Sequence, residues 1–131
     1  MTIHPQTLFL LPETFAICRL HPGTPLPTWV QTNSFFSLTN TPEEVSLVCL
    51  MEGIPSDVHA DRDWRCFKLQ GPFPFSLVGI LNSITVPLAQ ANIGIFAIST
   101  FDTDYILVKK DAISQAVSTL TAAGHTIHMH S

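Results

Sequence analysis

One segment carries apolar residues at helical spacing more clearly than any other. Leu77, Ile80, Leu81, Ile84, Leu88 and Ala91 fall on a single face and predict a helix over 76–91. Ser76 stands where an N-cap hydroxyl can accept from a first-turn amide. Pro87 lies inside the stripe, removes the hydrogen bond to the Ser83 carbonyl, and should kink the helix without ending it. The period then drops to two. Ile93, Ile95, Ala97 and Ser99 alternate with Phe96, Ile98 and Thr100, which predicts a strand over 95–101. Asp102-Thr103-Asp104 reads as a polar turn and Tyr105 to Val108 as the return strand of a hairpin. Asp111 is placed to cap a second helix with Ile113, Ala116, Val117 and Leu120 inward, and Gly124 suits its left-handed C′ position. Trp64 to Gln70 reads as a strand upstream, and Thr126 to Met129 as a short one downstream.

That order, β-α-β-β-α-β, is the ferredoxin-like plan of an α+β fold, an antiparallel sheet with two helices on one face. The N-terminal part repeats it in reduced form. Ala16-Ile17-Cys18-Arg19-Leu20 parallels Arg65-Cys66-Phe67-Lys68-Leu69, and Leu20 and Leu69 lie 49 positions apart. Phe35 to Thr39, a polar turn and Val45 to Val48 parallel the later hairpin, with Val48 and Val108 60 positions apart. The first copy is therefore shorter by about eleven residues, roughly three turns of helix, with only Leu26 to Thr32 to cross over. Two tandem units follow, a reduced one over 1–60 and a complete one over 61–131, joined by a linker at Asp57 to Asp63. Units of this size are marginal alone, and leftover sheet edges invite a second chain.

Composition narrows the function classes. The 131 residues are 46% hydrophobic and 12% charged, with a net charge of −4, so the chain can bury a core and offers no basic surface for nucleic acid. Leu69 to Phe101 carries no charge, but Pro72, Pro74 and Pro87 interrupt it, which argues against a membrane span. Without a basic leader before the short apolar run at Leu8 to Leu11, the expected location is the cytoplasm. Cys18, Cys49 and Cys66 are odd in number and widely spaced, and read as buried core thiols with no basic group nearby. His59 falls in the solvated linker, and His125, His128 and His130 in a frayed tail, so no metal and no cofactor is expected. Trp29 and Trp64 read as packing residues between the halves.

Two tandem units of this kind, with Phe35-Phe36-Ser37-Leu38-Thr39-Asn40-Thr41-Pro42-Glu43-Glu44 in the first, resemble the ACT-domain family. The second unit carries Gly79-Ile80-Leu81, Pro87-Leu88-Ala89 and Ser99-Thr100-Phe101-Asp102-Thr103-Asp104. It is similar to small stand-alone tandem ACT proteins, to the CASTOR-type cytosolic arginine sensors of animals and, more loosely, to aspartate kinase regulatory domains. The resemblance implies a regulatory module that binds a free amino acid between two ACT units, is not an enzyme, and acts on a separate, unknown protein target. It implies a homodimer through the C-terminal half. It also implies ligand contacts from Thr100, Phe101 and Asp104, from Ser83 and Ile84 of a facing helix, and from the loop and helix start at Ser76, Leu77, Val78 and Gly79. Pro74, Ser76 and Leu77 depart from the sensors, which have Gly and acidic residues there.

The residues themselves fit a zwitterion. A helix N-terminus presents amides to a carboxylate, and Gly79 permits close backbone approach. Asp104 can take the ammonium or a basic side chain. No nucleophile–base pair, phosphate loop or dinucleotide fingerprint is present. The competing expectations are a ligand-free interaction module and a small enzyme on a ferredoxin-like sheet.

Overall fold

The computed structural model describes residues 5–71 and 79–129. In chain order these form β1 (Thr7–Leu10), β2 (Phe15–Leu20), β3 (Ser37–Asn40), β4 (Val45–Leu50), β5 (Ala60–Leu69), α1 (Ile80–Gln90), β6 (Ile95–Ser99), β7 (Asp104–Lys109), α2 (Ile113–Ala122) and β8 (Thr126–Met129). They fall into two compact units. One is Glu13–Trp64; the other combines the residues up to Pro12 with those from Arg65 onward. The first strand thus lies with the C-terminal segment, whereas the sequence pattern placed 1–60 in one half.

In this second, helical unit the strand order is β8-β1-β5-β7-β6. β1 runs antiparallel to β5, with Leu8 opposite Leu69, and parallel to β8, with Leu8 opposite Ile127. The sheet is therefore mixed, not purely antiparallel, because β1 is inserted between two strands that the ferredoxin-like plan would make neighbours. Leu8, Leu10, Phe67, Leu69, Ile106 and Val108 face Ile80, Ile84 and Leu88 of α1 and Ala116 and Leu120 of α2. Each large side chain so buried stabilises the fold by about 1.5–3 kcal/mol relative to exposure.

The described part of α1 begins later than the periodicity predicts. Gly79 is its N-cap at φ 85, a left-handed backbone that a helix cannot run through, so the expected cap at Ser76 does not apply to this helix start. Pro87 sits inside α1, which continues to Gln90. The Ser83 carbonyl that Pro87 cannot serve has a substitute partner in His125, whose Nε2 lies 2.8 Å away. The Gln6 amide donates to His125 Nδ1 at 3.0 Å, so the hydrogen must sit on Nε2, which donates to Ser83. His125 is 3% exposed and fixed, and β8 follows it, in place of the expected frayed tail. Asp111 makes no cap hydrogen bond either. It lies within a short 3-10 turn, Lys110–Ala112, that precedes α2. Gly124 follows α2 at φ 102, as the sequence predicts.

The N-terminal unit carries no helix among its described residues. Its strands are ordered β3-β4-β2-β5. Pro22, Gly23, Pro25 and Pro27 crowd the β2–β3 connection, so turns replace even the shortened helix expected there. The supposed linker is partly strand, since β5 starts at Ala60. Asp63 takes φ 67 where the register slips between Phe15–Trp64 and Ile17–Asp61, which marks a β-bulge. Cys18, Val30, Leu47 and Cys49 form the core of this unit, with Trp29 packed against them.

The internal repeat is visible in hydrogen bonds. Thr41 N–H donates to the Glu44 carbonyl at 2.9 Å, and the Glu44 amide donates to Thr41 Oγ1 at 3.1 Å. Thr100 N–H donates to the Thr103 carbonyl at 2.8 Å, and the Thr103 amide donates to Thr100 Oγ1 at 3.3 Å. The hairpins therefore correspond at an offset of 59, not the 60 the sequence suggests. Only the shorter offset matches core-facing Leu47 and Cys49 with core-facing Ile106 and Val108.

Candidate functional site

The turn between β6 and β7 approaches the end of β5 closely. The Thr103 hydroxyl, buried, donates to the Leu69 carbonyl at 2.7 Å. Just beyond, Gly71 passes so near that an added Cβ would lie 2.6 Å from the Asp102 carbonyl oxygen, which leaves room only for glycine. Between these elements lies a cavity of about 220 Å³ lined by Lys68, Gly71, Thr100, Asp102, Thr103 and Tyr105.

Two of the lining groups carry opposite charge. Lys68 follows Phe67 and precedes Leu69, both core residues, so strand alternation turns it to the face away from the helices. Its ammonium lies 6.0 Å from the centroid of the Tyr105 ring, within the range of a cation–π contact. Asp102 is exposed in the turn. These two groups border one small space and can receive a carboxylate and an ammonium there, while the Thr100 hydroxyl is held in its own turn, donating to the Thr103 carbonyl at 3.2 Å.

The residues expected from sequence divide around this cavity. Thr100 lines it. Asp104 sits one position beyond, its carboxylate accepting from the Ser99 hydroxyl at 2.5 Å across the hairpin. Phe101 is 80% exposed. Gly79 is exposed at the start of α1. The Ser83 hydroxyl donates to the Ile80 carbonyl at 2.6 Å. Ile84 is fully buried in the core of its own unit and could not close a pocket on another protomer without leaving it. Ser76, Leu77 and Val78 lie outside the described residues. Lys68, Asp102, Tyr105 and Gly71 were not expected. Lys68 could have been found from the alternation of Lys68 and Gln70 with the apolar Phe67 and Leu69.

Cys18 and Cys49 form a pair across β2 and β4. The Cys49 thiol donates to the Cys18 sulphur, which outweighs burial and holds the Cys18 pKa below its ordinary 9.0. The Arg62 guanidinium adds to that lowering, so the expectation that no basic group lies nearby was wrong. The same hydrogen bond, with burial, pushes Cys49 up. Both are buried free thiols, as is Cys66. Among the described residues no group of three or more His, Cys, Asp or Glu could hold a metal ion, and His128 instead stacks on Phe9 at 5.5 Å. No described helix is long and apolar enough to cross a membrane.

The family model of the ACT domain matches residues 59–122, and a second model, for an N-terminal domain, matches 13–57. The structure of protein Atu0741 from Agobacterium tumefaciens is 39% identical, with a TM-score of 0.92, over 98% of this chain and 96% of that one. Residues 59–122 are an ACT domain. Human CASTOR3P is 37% identical to this ACT protein over 101 residues, 67% of this chain and 62% of that one. The bovine cytosolic arginine sensor for mTORC1 subunit 1 is 32% identical over 97 residues, 66% of this chain and 30% of that one. The ACT protein thus spans less than two thirds of the length of these curated relatives. Aspartate kinase of Clostridium acetobutylicum shares the fold at 14% identity, with a TM-score of 0.61 over 86% of this chain and 33% of that one.

Proposed function

We propose that this protein is a regulatory amino-acid sensor. It binds a free α-amino acid beside the β6–β7 turn and passes the signal to a separate protein by a change in its own surface. The observation that carries this reading is the small polar cavity at Lys68, Thr100 and Asp102 in an ACT-family chain. Its volume of about 220 Å³ lies below the range for drug-sized ligands and suits a single amino acid. The similarity to an arginine sensor supports the ligand class, and the non-catalytic, cytoplasmic role follows from the same likeness.

The working form we propose is a homodimer through the helical unit, its two pockets equivalent by symmetry. Phe101, 80% exposed beside the cavity, is the apolar group that a partner or a bound ligand would cover. Calorimetry of the protein against all twenty amino acids tests the reading. Binding of at least one at sub-millimolar concentration is expected. Absence of any binding at millimolar concentration leaves the interaction-module reading in its place.

A further inference from the structure

The repeat supplies a reference for what Lys68 lacks. At the offset of 49 that relates β2 to β5, Arg19 corresponds to Lys68. At the offset of 59 that relates the two hairpins, Glu43 and Glu44 correspond to Asp102 and Thr103. In the N-terminal unit the cation on β2 is neutralised by the β3–β4 turn. Arg19 Nη1 lies 3.2 Å from Glu44 Oε1, and Arg19 Nη2 donates to the Glu43 carbonyl at 3.3 Å. In the helical unit the equivalent of Glu44 is Thr103, whose hydroxyl is turned inward to Leu69. Lys68 then has the face of Tyr105 as its partner and no carboxylate within 4.0 Å among the described residues.

We infer that Lys68 is the carboxylate receptor of the site and Asp102 its ammonium receptor, so that the ligand is a neutral α-amino acid. The inference rests on the amino-acid-sensing reading above. The ligand's α-carboxylate takes the part in the helical unit that Glu44 plays in the N-terminal one. Lys68 and Asp102 are then both used on the amino-acid backbone. Asp104, the carboxylate that could meet a cationic side chain, is already engaged by Ser99. A cavity of about 220 Å³ with one cation and one anion has no further charge for a basic or acidic side chain.

The experiment is calorimetry on the full chain with the twenty amino acids. For each binder, its primary amide and its N-acetyl derivative are then measured on the wild type and on Lys68→Met, Lys68→Arg and Asp102→Asn. Lys68 and Asp102 are exposed, so these variants should keep the wild-type melting curve. The expected result is a neutral amino acid that loses about ten- to a hundredfold in affinity as its amide. Lys68→Met should weaken the amino acid by a similar factor, Lys68→Arg should restore part of it, and Lys68→Met should leave the amide's affinity as in the wild type. Asp102→Asn should show the matching pattern toward the N-acetyl derivative. Equal binding to the wild type and Lys68→Met, or a preference for arginine or glutamate over every neutral amino acid, overturns the inference and leaves the sensor reading standing. If no amino acid binds the wild type, both fall.

Discussion

The N-terminal and helical units contain the same hairpin, closed by the same threonine-centred turn, and differ in what covers it. Leu47 and Cys49 of β4 face a small core made with loop residues such as Val30 and Trp29. Ile106 and Val108 of β7 face two helices and a larger apolar cluster. Among the described residues the buried polar side chains, Thr103 and His125, belong to the helical unit. A hairpin under loops can satisfy its polar groups at the surface, as Arg19 and Glu44 do. Beneath helices, the polar groups that point inward, Thr103 and His125, are satisfied internally. On the face away from the helices the contrast lies in the turn, where Glu44 meets Arg19 and Thr103 leaves Lys68 over the ring of Tyr105.

The largest effect that tests this contrast is truncation of matched core leucines. Leu88→Ala in α1 should cost about 4–5 kcal/mol, because helix and sheet hold the cavity open, whereas Leu47→Ala should cost about 3 kcal/mol as the loops relax into the space. Urea denaturation with hydrogen exchange read in each unit makes the measurement; equal costs would remove the distinction. Next comes His125→Ala, which strips a partner from both the Gln6 amide and the Ser83 carbonyl. It should cost about 3 kcal/mol and speed exchange at Gln6. A loss below about 1 kcal/mol would show that water replaces the imidazole easily.

The thiol pair gives the N-terminal unit its own signature. Cys49 is held protonated in the folded chain, so its contribution is present below pH 9.0 and is lost as the pH rises above that, where the unfolded thiol ionises and the folded one does not. Cys18, shifted the other way, opposes this in part. Stability of Cys18→Ala, in which Cys49 is still raised by burial and nothing opposes it, should therefore fall more steeply between pH 8.5 and 10 than that of the wild type, followed by denaturant midpoints across that range. The smallest effect sharpens the comparison from the side of similarity. Thr41→Ala and Thr100→Ala should each cost about 1 kcal/mol, since the same pair of turn bonds is lost. A difference above about 1 kcal/mol would mean that the turns are not equivalent.

Much of the helical unit was legible because its elements are long enough to show a period. The stripe Ile80, Ile84, Leu88 reached the core, and the alternation from Ile95 marks a strand that runs to Ser99. β1 was not legible. Four residues, Thr7 to Leu10, give no period, and their partners are at Leu69 and Ile127. His125 looked like part of a polar tail because nothing local reveals that Pro87, far away in sequence, leaves a carbonyl in want of a donor. At the site, Thr100 was marked by the resemblance, whereas Lys68 required knowing which face of β5 turns away from the helices. Ile84 carried two expectations, a core position from its helical spacing and a ligand contact from the resemblance, and its burial accords with the first.

The position of β1 shapes the order in which the chain can fold. Thr7 pairs with Thr126, so this strand precedes both of its neighbours in the chain and waits for one until β5 has emerged and for the other until β8. Contacts of such sequence separation close slowly, after local turns and helices have formed. In the interval Leu8 and Leu10 are apolar groups on an unpaired strand, the kind of segment that associates with other chains or is held by a chaperone. Refolding of the helical unit should therefore lag behind closure of the hairpin at Thr100 and Thr103, which depends on neighbours only a few residues apart.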